Sequence, residues 1–180
     1  DVERSRGLGD VYKRQVDIYT GTLGKAFGGA MGGFTTGRKE IIDLLRQRSR
    51  PYLFSNSVAP AVVGASIEVF NILRESNALH DKLVENVNYF REKMTAAGFD
   101  IKPTQSAICA VMLYDAKLSQ IYAARMQEEG IYVTGFYYPV VPKDQARIRV
   151  QISAGHEREH LDKCIDAFIK VGKELGVLSR

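Results

Sequence analysis

The feature that most constrains the fold is a glycine-rich stretch that follows a short β-prone run. Residues 21–33 (GTLGKAFGGAMGG) contain six glycines and one lysine, Lys25. Glycine at this density weakens regular structure and is tolerated where the backbone must turn or approach another group closely. We therefore predict a buried strand at 16–20 (VDIYT), a loop that carries Lys25, and a second strand at 34–36 (FTT).

Beyond this loop, helical and strand patterns alternate, with a boundary near residues 75–80. Apolar residues recur at helical spacing, and Gly98 and Gly130 are positioned to end two of the helices. Strands interleaved with helices of this length predict an α/β protein whose last part is a compact α+β domain. The predicted helices are 38–46, a long stretch from 59, 76–97 with Ser76 as N-cap, 116–129 and 157–175; the predicted strands are 107–113, 131–134 and 146–153; 51–57 is predicted as a loop with a strand-like centre.

Composition excludes several classes of protein. The chain has 180 residues, a net charge of +4, and 45% apolar and 26% charged residues, which is ordinary for a globular protein. The densest basic run, 46–50, is too short to indicate nucleic-acid binding. No apolar run approaches the roughly 20 residues of a membrane span, and no signal peptide is recognisable. Cys109 and Cys164 are predicted to be buried free thiols, no metal-ligand spacing is present, and we expect a cytoplasmic protein.

The first fifteen residues have neither helical nor strand periodicity. Residues 10–15 (DVYKRQ) resemble the in-frame translation of a sequencing adapter. We therefore interpret residues 1–15 as a non-native leader and expect the natural protein to begin upstream of Val16.

Several interpretations of Lys25 are possible. A phosphate-binding P-loop needs a glycine five residues before Gly24, where Tyr19 stands, and a hydroxyl where Ala26 stands. The dinucleotide fingerprint Gly-x-Gly-x-x-Gly does not occur in this stretch. A glycine-rich turn with a solvated lysine remains open. The other interpretation is a lysine that forms a Schiff base. A lysine amine becomes nucleophilic where burial or a neighbouring positive charge favours its uncharged form.

The stretch TGTLGKAFGG resembles the cofactor-lysine motif of the α-oxoamine synthases, which depend on pyridoxal phosphate (PLP). The resemblance extends from Val16 to Leu178. RQRSRPYLFSNSVAPA (46–61) and GIYVTGFYYPVVPKDQARIRVQISAGH (130–156) are similar to the branch that condenses glycine with acetyl-CoA. Asp144 departs from that branch, which commonly has glycine at this position, and this leaves the loop shape open.

The resemblance implies a fold-type I PLP-dependent transferase and a role for each of five residues. Lys25 would hold the cofactor covalently and remove a proton from glycine. Thr22 would bind the cofactor phosphate, and Phe54 and Ser55 match a segment that reaches the phosphate in a neighbouring subunit. Arg149 matches the arginine that binds the substrate carboxylate, a task suited to the planar guanidinium group. Arg147 lies on the same strand face, but we expect a surface role for it.

The resemblance also implies the domain organisation. Residues 16–77 would be the C-terminal part of the PLP-binding large domain with the start of a linking helix, and 78–180 the small α+β domain. The ring-stacking His and the Asp that pairs with the pyridine nitrogen in this family lie upstream of the cofactor lysine. We therefore expect the 180-residue chain alone to be inactive and the full-length protein to be a homodimer. The alternatives are a sister synthase of the 8-amino-7-oxononanoate or 5-aminolevulinate type, and a non-catalytic interaction module.

Overall fold

The computed structural model describes residues 16–27 and 29–178. The leader predicted at residues 1–15 lies outside the described residues. The chain divides into two compact units, the first ending at Ser76 and the second beginning at Asn77.

The described residues of the first unit form an antiparallel strand pair and three helices. Gly21 lies opposite Phe34 in the strand pair, and a Cβ at Gly21 would lie 2.5 Å from the Phe34 ring. Close packing of the ring on the strand therefore requires glycine there. The elements are β1 (Ile18–Thr22), β2 (Gly33–Gly37), α1 (Lys39–Arg48), α2 (Arg50–Phe54) and α3 (Pro60–Glu75).

Two predictions for the first unit are wrong. The strand predicted to be buried is exposed, with Ile18 at 45% and Tyr19 at 38%. One edge of this strand pairs with β2, but the described residues of the unit do not cover its faces. The segment predicted as a loop with a strand-like centre begins with the helix α2. Pro51 lies in the first turn of α2, where its missing N–H and fixed φ are compatible with a helix.

The described residues of the second unit form a four-stranded antiparallel sheet and three helices. The sheet has the order β3 (Ile101–Lys102), β4 (Ile108–Tyr114), β6 (Ala146–Gln151), β5 (Thr134–Phe136). On β6 the side chains alternate, so that Ile148 and Val150 lie in the core and Arg149 is exposed. The elements are α4 (Ala78–Ala96), β3 (Ile101–Lys102), β4 (Ile108–Tyr114), α5 (Ala116–Glu128), β5 (Thr134–Phe136), β6 (Ala146–Gln151) and α6 (Arg158–Glu174).

Aromatic side chains form the centre of the second unit's core. Phe168 on α6 contacts the rings of Phe90, Phe99 and Tyr122. The Tyr122 hydroxyl donates a hydrogen bond of 2.6 Å to the Phe168 carbonyl oxygen, so this buried polar atom is satisfied. Cys109 and Cys164 are both buried and free, as predicted.

The ends of the helices follow the predicted glycines. Gly98 (φ 98°) follows α4, and Gly130 (φ 78°) follows α5, both in the left-handed region that glycine favours. The N-cap of α4 is Asn77, whereas we predicted Ser76, which ends α3. Asp144, at the position where the resembled branch commonly has glycine, has φ 59°. Asp tolerates this conformation better than most residues, so the loop keeps a backbone suited to glycine.

The strand predicted at 131–134 begins later in the structure. The N–H of Ile131 donates to the Met126 carbonyl oxygen at 2.9 Å, and this bond belongs to the C-terminal cap of α5. Pairing with β6 therefore begins at Thr134. Among the described residues, none of the helices combines the length and the apolar character that a membrane span requires.

Candidate active site

The loop between β1 and β2 is closed by its own hydrogen bonds. The N–H of Leu23 donates to the Gly32 carbonyl oxygen at 3.0 Å, and the N–H of Gly29 donates to the Leu23 carbonyl oxygen at 2.8 Å. The Thr22 hydroxyl accepts from the N–H of Gly24 at 3.2 Å and donates to the Gly32 carbonyl oxygen at 3.4 Å. The loop is therefore held in one shape at both of its ends.

Two glycines of this loop are required by its own packing. A Cβ at Gly29 would lie 2.3 Å from the Leu23 carbonyl oxygen. Gly32 has φ 89°, and a Cβ there would lie 2.8 Å from Cγ2 of Val58. Gly24, next to the lysine, differs from them because the nearest atom to an added Cβ is 3.7 Å away. Gly29 and Gly32 thus allow the backbone to turn and to approach neighbouring atoms closely, as the glycine content predicted.

Lys25 is presented by this closed loop. Its side chain is exposed, and no hydrogen bond or ion pair holds it among the residues that the structure describes. Thr22, the last residue of β1, is also exposed. The loop therefore offers a primary amine and a hydroxyl three residues apart.

The segment containing Phe54 and Ser55 ends the short helix α2. Phe54 is 76% exposed, and the guanidinium carbon of Arg50 lies 5.3 Å from the centre of its ring. The N–H of Ser55 caps the helix by donating to the Pro51 carbonyl oxygen at 3.2 Å. The Ser55 side chain is exposed, so its hydroxyl can bind a ligand from outside this unit.

Arg149 lies in a cleft of the second unit. The cleft has a volume of about 760 Å³ and includes Phe136, His156, His160 and Cys164 in its lining. The guanidinium carbon of Arg149 lies 5.4 Å from the centre of the Phe136 ring. This contact orients the group without occupying its N–H donors in hydrogen bonds.

Arg147 and Arg149 differ in their partners although they share one strand. Arg147 Nε donates to the Gln145 carbonyl oxygen at 3.0 Å, and a second nitrogen lies 3.4 Å from the Gln145 side-chain oxygen. Among the described residues, Arg149 forms neither an ion pair nor a hydrogen bond. Its five N–H donors can therefore serve a carboxylate brought by a ligand.

The histidines of the cleft are bound to the backbone at the start of α6. His156 Nδ1 accepts from the N–H of Ser153 at 3.2 Å, and His160 Nδ1 accepts from the N–H of Glu157 at 3.0 Å. These bonds hold both imidazole rings at the start of α6. Burial raises the pKa of the Cys164 thiol to about 12, so it is not a nucleophile near neutral pH. In the described part of the chain, no group of three or more potential ligands could hold a metal ion.

A family model for class I and II aminotransferases matches residues 5–168 of the chain. The chain belongs to this family. The α/β fold predicted from the sequence is confirmed by this match and by the solved structures that the chain resembles.

Relatives in this family include two kinds of enzyme. The chain is 57% identical to the 2-amino-3-ketobutyrate coenzyme A ligase of Salmonella typhimurium over 92% of its own length and 42% of the relative's. It is 46% identical to the 8-amino-7-oxononanoate synthase of Petrotoga mobilis over 98% of its own length and 45% of the relative's. The chain therefore spans less than half the length of these relatives.

A solved structure extends the comparison to a third enzyme. It is a lysine-to-alanine variant of serine palmitoyltransferase from S. paucimobilis, with bound PLP–myriocin. The TM-score is 0.88 with 26% identity, over 98% of this chain and 45% of that one. The aminotransferase-family fold of the chain thus also occurs in a protein solved with PLP.

The predicted site residues fall into three places. Lys25 and Thr22 share the loop after β1, and Ser55 with Phe54 ends α2 in the same unit. Arg149 lies in the cleft of the second unit. The sequence interpretation missed Phe136, because its contact with Arg149 depends on how β5 and β6 pair, and no local pattern reveals that register.

Proposed function

We propose that the full-length protein is a PLP-dependent acyltransferase that condenses glycine with acetyl-CoA to 2-amino-3-oxobutanoate and releases coenzyme A, a reaction that also runs in the direction of threonine breakdown. The observation that carries the proposal is the exposed amine of Lys25 on a closed glycine loop. The choice of substrates is supported by the 57% identity to a 2-amino-3-ketobutyrate coenzyme A ligase.

The residues of the loop fit the cofactor. Lys25 Nζ is the group that would bond to the cofactor's aldehyde carbon, since no described residue competes for it. The Thr22 hydroxyl donates to a carbonyl oxygen at the long distance of 3.4 Å, and it can exchange this weak bond for a phosphate oxygen. When bound, PLP supplies an electron sink for the charge that develops on the glycine Cα.

Lys25 and Arg149 would each act on the amino-acid substrate. Lys25 Nζ would remove the Cα proton of glycine once the substrate amine has taken its place. Arg149 would bind the glycine carboxylate through two parallel N–H donors, because none of the described residues provides its guanidinium group with an anionic partner. Holding the carboxylate through two donors restricts the orientations that the amino acid can adopt, and such orientation contributes much of the rate of an enzyme.

A homodimer is part of this proposal. Ser55 and Phe54 would contact the cofactor phosphate bound by a second copy of the chain. The exposure of Phe54 on α2 supports this assignment, since a large apolar side chain favours a covered position. We also propose a cytoplasmic location, because both cysteines are free and buried, as is usual for a reducing compartment.

The test is an assay of coenzyme A thiol release by the full-length protein with glycine and a panel of acyl-CoA substrates. We expect release with acetyl-CoA and glycine that falls by at least about 1,000-fold in Lys25→Ala, because the covalent cofactor bond and the base are lost together. A preference for a longer acyl chain would indicate a sister synthase instead. The observation that supports this alternative is the 46% identity, over 98% of the chain, to an 8-amino-7-oxononanoate synthase. No release with any acyl-CoA, despite bound PLP, would contradict the proposal.

A further inference from the structure

The starting observation is the contrast between Arg149 and the paired arginines of the same unit. Arg125 pairs with Glu174 at 2.7 Å, and Arg158 pairs with Glu85 at 2.7 Å. Arg147 is held by the backbone carbonyl of Gln145. For Arg149 the described residues provide an aromatic ring instead, that of Phe136 at 5.4 Å.

An aromatic partner has a different effect from a carboxylate. A carboxylate would neutralise the guanidinium group and occupy the N–H donors that a ligand needs. A ring face attracts the cation through its quadrupole and restricts its rotation, while the N–H donors at the edge of the guanidinium plane stay available. The contact therefore fixes the direction of Arg149 without reducing its capacity to bind an anion.

The strand pairing explains how the ring reaches the arginine. Phe136 on β5 is paired with Arg147 on β6, and Arg149 is paired with Thr134. Phe136 and Arg149 are thus diagonal neighbours on adjacent antiparallel strands, a distance that aromatic and long side chains can span. Both side chains line the same cleft, where Phe136 is half-buried and Arg149 is exposed.

We infer that Phe136 is a positioning residue, which orients Arg149 for the carboxylate of the amino-acid substrate. This inference rests on the proposed function for the identity of that substrate. It predicts that loss of the ring weakens binding of the carboxylate and leaves the binding of the amino group unchanged. Phe136 itself contacts the arginine and not the reacting atoms.

The experiment compares two amines on the full-length protein with bound PLP. Glycine and methylamine differ by the carboxylate, and the binding of each is measured without acyl-CoA from the change in cofactor absorbance. For Phe136→Leu we expect a dissociation constant for glycine that is about 3- to 10-fold higher, in keeping with the loss of one cation–π contact, and an unchanged value for methylamine. Phe136→Tyr should restore glycine binding because it keeps the ring.

Two controls keep the result interpretable. Tyr114→Leu removes an exposed aromatic residue of the same sheet that does not line the cleft, and it should change neither constant. Phe136→Met provides a second ring-free variant if the leucine variant does not fold. Unchanged glycine binding in the ring-free variant, or an equal weakening for glycine and methylamine, would overturn the inference.

The outcome is separable from that of the proposed function. A wild-type protein that binds glycine but releases no coenzyme A from acetyl-CoA would contradict the proposed reaction, while the selective effect of Phe136→Leu on glycine would still support the positioning role. Conversely, a wild-type protein with the proposed activity whose Phe136→Leu variant binds glycine normally would overturn the positioning role alone.

Discussion

At the scale of single residues, Arg149 is distinguished by having no anionic partner among the described residues. Arg147 and Arg149 stand two positions apart on β6, and the alternation of side chains along a strand does not separate them. The structure does, because Gln145 binds Arg147 through its backbone carbonyl while Arg149 contacts the Phe136 ring. An arginine without an anionic partner is the better candidate for binding a substrate carboxylate.

This contrast leads to a prediction with a matched control. Arg149→Lys keeps the charge but loses the planar pair of donors, so we expect the KM for glycine to rise by about 10- to 100-fold with little change in the KM for acetyl-CoA. The equivalent change Arg147→Lys should alter the glycine KM by less than about twofold. Steady-state kinetics of the full-length protein provides the measurement. Equal effects of the two substitutions would contradict the assignment of Arg149.

At the scale of secondary structure, the sequence predicted the elements of the second unit better than those of the first. Helices ended by Gly98 and Gly130 were predictable because glycine in the left-handed conformation marks a helix end locally. The exposure of Ile18 was not predictable, because burial depends on what covers a strand. The helix at Pro51 was hidden by the β-prone residues that follow it.

The residues of the candidate site also differ in whether the sequence alone could identify them. Lys25 and Thr22 could be found from a contiguous motif, and Arg149 from a resemblance that extends along the chain. Phe136 could not, because its contact with Arg149 arises from strand register. The roles of these four residues are proposals, which kinetic and binding measurements on the variants test.

The start of α6 gives a pH-dependent prediction. Lys82 Nζ lies 2.6 Å from Glu157 Oε1, and this hydrogen bond lowers the pKa of the Glu157 carboxyl group. A carboxyl whose pKa is lower in the folded state stabilises the fold above its unfolded pKa, and the contribution is lost as the pH falls through the folded pKa. Because the pair is exposed, the effect should be small.

We therefore expect Glu157→Gln to lower the Tm slightly at pH 7 and by less at pH 3, because the stabilising contribution is lost as the pH falls through the folded-state pKa. Thermal unfolding followed by circular dichroism at the two pH values is the measurement. Glu159→Gln removes the same charge from the same end of the helix and is the control for the ion pair. A Tm difference for Glu157→Gln that is as large at pH 3 as at pH 7 would contradict this explanation.

At the scale of the whole molecule, the buried apolar residues are concentrated in one unit. The second unit encloses a continuous core around Phe90, Tyr122 and Phe168. Among the described residues of the first unit, Leu23 and Ser66 are the only buried ones, and apolar residues of α3 such as Ile67 remain exposed. Since burial of apolar surface is the main source of stability, the second unit should dominate the stability of this chain.

Hydrogen exchange of the 180-residue chain tests this difference. Amides of β4, β6 and α6 should exchange about 100-fold or more slowly than those of β1 and β2, because opening the second unit requires loss of its core. Exchange followed by mass spectrometry of peptides resolves the two sets. Equal protection of β1 and β6 would show that the first unit is stabilised by interactions that its exposed side chains do not suggest.

Whether Lys25 carries the cofactor can be measured by trapping the bond between its amine and PLP. The full-length protein is incubated with PLP, reduced with borohydride and digested, and the modified lysine is located by mass spectrometry. The closed loop with its exposed amine predicts a phosphopyridoxyl group on Lys25 and none in Lys25→Ala. A modification on another lysine, or its persistence in Lys25→Ala, would show that Lys25 is not the residue that carries the cofactor.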